Sequence, residues 1–147
     1  MTNPTRWGFS IFCEDIREEV DNKNSWMGVF KGGIYTDDLY PLVIPKLAII
    51  IKYYEVVDVH RENLEFRVYS TDGAMVAEAR IERVSLDTHF ALSSISENDE
   101  ALISVQVPFV FVPMVFPKPG VLKVRMFDGS QEMKLGSLPV RSGPAPA

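Results

Sequence analysis

The chain has 147 residues, of which 46% are apolar and 24% charged, with a formal net charge of -5. That length suits one ordinary domain able to bury a core without staples, and the composition excludes a disordered chain. The acidic balance, with no run of Lys or Arg, leaves no positive field for phosphate contacts and argues against a nucleic-acid partner.

Period-two alternation dominates, as strands with one buried face require. The first strand sets Trp7, Phe9, Ile11 and Cys13 on one face, expected to be the buried one. Gly8 and Ser10 lie opposite, with Phe12 an exception. A polar segment follows from Glu14 to Ser25, where the spacing of Ile16 and Val20 suits a single helical turn. A second strand is expected over Trp26–Tyr35, with Gly32-Gly33 marking a bulge or a close backbone approach. The third, about Lys46–Val57, is apolar on both faces over Leu47–Ile51. It reads as a central strand covered on both sides, or as one whose outer face meets a partner.

Two clear strands come next. Leu64, Phe66 and Val68 alternate with Glu65 and Arg67; Met75, Ala77, Ala79 and Ile81 alternate with Glu78, Arg80 and Glu82. Thr71-Asp72-Gly73 between them is a hairpin signal, because Asp-Gly supplies positive φ angles. Ser85–Glu100 is the longest connection. Ile103, Val105, Val107, Phe109 and Phe111 form a strand that Pro108 makes an edge or a bulge. Pro117-Lys118-Pro119-Gly120 turns into Leu122, Val124 and Met126, and Asp128-Gly129 turns into a last strand over Glu132–Arg141. The apolar parity shifts there at Gly136-Ser137, a bulge signal.

About eight strands at this spacing predict an all-β chain: a single antiparallel β-sandwich of immunoglobulin-like, Greek-key type. The domain spans 1–141, and the small, proline-containing tail 142–147 is expected to fray. Leu42–Ile51, the most apolar stretch, is broken by Pro45 and Lys46 and is too short to span a bilayer. Met1–Arg6 carries no apolar signal core, and the lone Cys13 allows no internal disulfide. These features place the protein in the cytoplasm or in a phage particle, away from membranes.

Phe12-Cys13-Glu14-Asp15-Ile16-Arg17-Glu18-Glu19, followed by Lys23, Ser25 and Met27-Gly28-Val29-Phe30, resembles the opening of a small bacterial and phage protein family of unknown function. Its members begin with a Phe-Cys-Asp-Asp-Ile-Arg-type stretch and a Leu-Met-Gly-Val-Tyr-type strand. This chain departs from that pattern at Glu14, Trp26 and Phe30. The Pro117–Phe127 segment fits the family's Phe-Pro-x-Pro-Gly ending. The resemblance covers most of the chain and is specific near the N-terminus. It implies a β-rich fold and a bacterial or phage source, and it implies no activity.

No catalytic, cofactor or metal site is expected. Cys13 belongs to an apolar face, where a thiol behaves as a small hydrophobe, and His60 and His89 sit in loops without a motif. The glycines form no phosphate loop, and no Gly-x-Ser-x-Gly elbow is present. The acidic cluster Glu14, Asp15, Glu18, Glu19 and Asp21, with Arg17 and Lys23, reads as a polar contact surface centred on Asp15, Arg17 and Glu18, as a weak cation site, or as an ion-paired loop. The run Phe109–Pro117 reads either as a strand buried on both faces with a loop packed over the sandwich end, or as more apolar surface than one core absorbs. On the second reading Phe109, Val110, Phe111, Val112, Met114 and Phe116, with Ile50 of the doubly apolar strand, are the candidate partner-binding residues. The expected function is a non-enzymatic interaction or structural module, docking to a protein partner or to a second copy as a homodimer. The alternative is a ligand-binding or enzymatic sandwich with an end pocket under the Ser85–Glu100 loop, using His89 or Asp87.

Overall fold

The structure is a computed structural model that describes residues 5–56, 63–82, 94–95 and 101–146. Every element among them is a strand: β1 (Arg6–Glu19), β2 (Lys23–Val29), β3 (Ile34–Thr36), β4 (Leu42–Ile44), β5 (Leu47–Val56), β6 (Leu64–Tyr69), β7 (Met75–Ile81), β8 (Ser94–Ile95), β9 (Ala101–Phe111), β10 (Met114–Phe116), β11 (Gly120–Asp128) and β12 (Gln131–Ser142). No helix among the described residues is long and apolar enough to cross a membrane. Seven of the eight expected strands correspond to long ones, and the eighth, Trp26–Tyr35, overlaps parts of β2 and β3. The short strands, β3, β4, β8 and β10, have two or three residues each, too few to show a period.

One five-stranded sheet has the order β2-β1-β5-β9-β8, the other β3-β12-β11-β6-β7, and β10 and β4 form a separate two-stranded ribbon. Both β5→β6 and β9→β11 pass from the first large sheet to the second, where β5 pairs with β9 and β6 with β11. All these pairings are antiparallel except that of β12 with β3, which is parallel. One core joins the two sheets: Leu47, Ile49, Ile51, Tyr53, Val105 and Val107 from one meet Leu64, Phe66, Val68, Leu122, Val124, Met126, Leu138 and Val140 from the other.

The turn chemistry follows the sequence. Gly73 (φ 89°) closes β6–β7 and Gly129 (φ 60°) closes β11–β12. The β11–β12 register slips between Lys123 and Arg125, opposite Gly136 at φ 117°. Gly33 is a close approach, because a Cβ there would lie 2.9 Å from the Pro139 carbonyl oxygen. Leu47–Ile51 is fully buried in the middle strand of its sheet. On its far side from β5, β9 pairs with β8 at Ala101 and Leu102, and among the described residues no strand pairs with it there at Pro108.

Three expectations are corrected. The 14–25 segment holds no helical turn: β1 runs on through Glu19 and returns as β2 through Asp21 and Asn22, at φ 61° and 58°. Asp and Asn accept that left-handed conformation, which makes the hairpin. Trp26–Tyr35 is not one strand, since β2 and β3 belong to different sheets. The faces of β1 are also inverted. Phe12 joins the main core, while Gly8 and Ser10 face β12, where a Cβ on Gly8 would meet Leu135 Cδ2 at 2.8 Å and one on Gly136 would meet Ser10 Cβ at 3.6 Å. The strands approach so closely that only small side chains fit, so this inward face looks polar in sequence. At the other end β12 runs through Ser142, and Gly143 N–H donates to the Thr36 carbonyl at 2.9 Å.

Candidate functional site

Side chains directly opposite in neighbouring strands share a face. Across β1, β5 and β9 the outward rows are therefore Phe9–Lys52–Gln106, Ile11–Ile50–Pro108 and Cys13–Ala48–Val110. Val29 of β2 extends the last row. The middle of this face is covered by the chain itself. Apolar parity changes along β1 between Cys13 and Ile16, so the β1–β2 hairpin turns Ile16 and Trp26 onto Cys13, Ala48 and Ile50, which are fully buried beneath them. The Lys52 ammonium lies 5.9 Å from the Trp26 ring centroid. Around that seal apolar groups stay open to solvent: Phe9 is 46% exposed, Val29 47% and Val110 50%. Pro108 is exposed as well.

The outward face of the other sheet has the opposite character. Arg67 bonds the Glu65 carboxylate and, at 3.0 Å, that of Glu78, and lies 4.4 Å over the Phe127 ring. Arg125 meets Glu132 at 3.2 Å. Charges of both signs interleave there, as on a solvated face. The exposed large apolar residues of that sheet, Met75 and Val76, stand at the start of β7.

Val110 and Val112 are exposed, as their parity predicts. Phe109 and Phe111 are half-buried against the core. Met114 and Phe116, expected at the surface in a loop, are instead buried, because β10 pairs with β4 and turns alternate residues inward. The outward residues of that ribbon are Val115 and its partner Val43, both exposed. Sequence reasoning overlooked them because a three-residue strand has no readable alternation. Ile50, buried under the hairpin, offers no surface.

The acidic cluster is dispersed along the hairpin. Asp15 Oδ1 accepts from Lys46 Nζ at 2.6 Å, Arg17 Nε donates to Glu19 Oε1 at 2.6 Å, and Glu18 is exposed. Among the described residues no group of three or more His, Cys, Asp or Glu is placed to hold a metal ion. Glu14, Asp15 and Lys46 line a cleft of about 540 Å³ with Met27, Phe30, Ile44 and Pro45. The Lys46 hydrogen bond holds the Asp15 carboxyl below its ordinary range. Burial pushes the Cys13 thiol up, away from the reactive thiolate. His60, Asp87 and His89, with the lid expected over an end pocket, lie outside the described residues. Comparison with protein-family models, with curated proteins and with solved structures finds no match to this chain.

Proposed function

We propose that the chain is a non-enzymatic interaction or structural module, built on a β-sandwich of immunoglobulin-like, Greek-key type, that docks a protein partner in a bacterial or phage assembly. Two large sheets around one core, with both β5→β6 and β9→β11 crossing between them, support the sandwich reading. One observation carries the function: the outward face of β1, β5 and β9 exposes Phe9, Pro108 and Val110 beside Val29, while the opposite sheet's outward face is ion-paired. Exposed apolar groups clustered on one face mark an association surface.

The test places a photo-crosslinker at position 106, an exposed outward position in the row of Phe9 and Lys52, and maps its adducts by mass spectrometry in lysate and in purified protein. Intermolecular adducts are expected in the wild type and are expected to vanish in a folded F9S/V110S double variant. A wild type that forms no adducts, or a double variant that forms the same ones, would sink the reading.

A further inference from the structure

Of the sheet-terminal strands described, β3 and β8 and both ribbon strands have two or three residues, and β2 is interrupted by Gly28 at φ 66°. β7 is different. Its seven residues, Met75–Ile81, pair with β6 and with no other strand among the described residues, and contain neither proline nor a positive-φ residue. A long regular edge is a template for a further strand, and natural proteins usually block one. Inward-pointing Ala77, Ala79 and Ile81 are only partly buried against the core, and Glu78 and Arg80 point outward.

We propose that β7 pairs antiparallel with β7 of a second copy about a two-fold axis at Ala79, joining two five-stranded sheets into one. Charge selects this partner and this register. An inward residue must oppose an inward residue for both cores to continue, which leaves few positions for the axis. Placed at Glu78 or at Arg80, the axis sets a charge against its own copy, which is destabilising. Placed at Ala77, it leaves both charges opposite uncharged residues. Placed at Ala79, it sets Glu78 against the partner's Arg80 and Arg80 against the partner's Glu78, while Ala77 meets the partner's Ile81. The strand is complementary to itself, as a two-fold interface demands. Glu78 already bonds Arg67 at 3.0 Å and is held in an outward position on the strand.

The proposal shares the interaction-module reading but uses a different surface, so the two fail separately. Light scattering on the eluting wild type is expected to give about twice the 16.6 kDa chain mass. R80E, which opposes two carboxylates, is expected to elute as a monomer, and the E78R/R80E exchange to restore the dimer. F9S/V110S is expected to remain dimeric. A79C is expected to form a disulfide-linked dimer under mild oxidation, with circular dichroism confirming that every variant is folded. A monomeric wild type, an R80E dimer as tight as the wild type, or an A79C chain that never cross-links would overturn the proposal.

Discussion

Arg6 Nη1 donates to Asp128 Oδ2 at 2.8 Å, and this bond ties β1 of one sheet to β11 of the other. Glu55 Oε2 lies 3.6 Å from Arg6 Nη2 and accepts from the Tyr53 hydroxyl at 3.1 Å. Burial, and then the Glu55 carboxylate, push the Tyr53 hydroxyl well above its ordinary value, so it stays a donor. The four side chains form a polar knot at one end of an apolar core.

Removing one member of such a knot is costly, because the remaining charges stay desolvated. D128A is expected to lower stability by about 3 kcal/mol, the low end for a broken buried pair. Urea unfolding followed by fluorescence reads this directly as a lower midpoint with an unchanged slope. A shift equivalent to under about 0.5 kcal/mol, the range of ordinary surface substitutions, would mean that the pair is solvated.

At Gly8 two principles give opposite signs. Glycine within a strand is worse than alanine by roughly 0.5–1 kcal/mol, so G8A should stabilise on propensity alone. A Cβ there, however, would sit 2.7 Å from the Lys52 carbonyl oxygen and 2.8 Å from Leu135 Cδ2. Leu135 can turn aside; a backbone carbonyl inside a paired strand cannot. Overpacking typically costs about 1–3 kcal/mol, so the expected outcome is net destabilisation. A raised melting temperature for G8A would show that β1 and β12 are less tightly apposed.

Gly8 also shows where sequence reading stops. Alternation recovered the long strands other than β2 and the far half of β1, and Asp72-Gly73, Asp128-Gly129 and Gly136 announced their turns and bulge. Alternation gives two faces and does not say which is inward. On β1 the smaller face turned inward because β12 lies against it, a fact of tertiary packing. Val110 was legible as outward-pointing, whereas Phe9 was assigned to the core. Asp21-Asn22 did carry a hairpin signal, obscured by the polar residues around it. Nothing in the sequence ordered the strands, so the charge match along β7 has meaning only once its place at a sheet end is known.

Cys13 tests the hairpin seal. Its side chain is fully buried with Ala48 and Ile50 under Ile11, Ile16 and Trp26. Its raised pKa implies a term that supports folding below the ordinary thiol value and fades as pH rises through the folded one. In native protein at pH 8 the thiol is therefore expected to be inert to a disulfide reagent and to react stoichiometrically in denaturant. W26A should open the seal and make the native thiol reactive. Rapid labelling of the wild type would show that the hairpin does not close over β5.

Asp15 and Lys46 supply a pH-dependent contact at the cleft. The Lys46 hydrogen bond is the main cause of the lowered Asp15 pKa, opposed by desolvation and aided by the Ile16 N–H, which donates to Asp15 Oδ1 at 2.8 Å. A depressed carboxyl contributes stability that is present above its unfolded pKa and is lost as pH falls through the folded one. The side chains are 40% and 41% exposed, so solvent screens the pair and the change in global stability is small. The informative measurement is local: an NMR titration of the Asp15 carboxyl, expected to lie below an ordinary aspartate and to move up toward it in K46M. An Asp15 that titrates identically in both proteins would mean that the two groups do not meet in solution. The cleft would then present separate charges to any ligand instead of a joined pair.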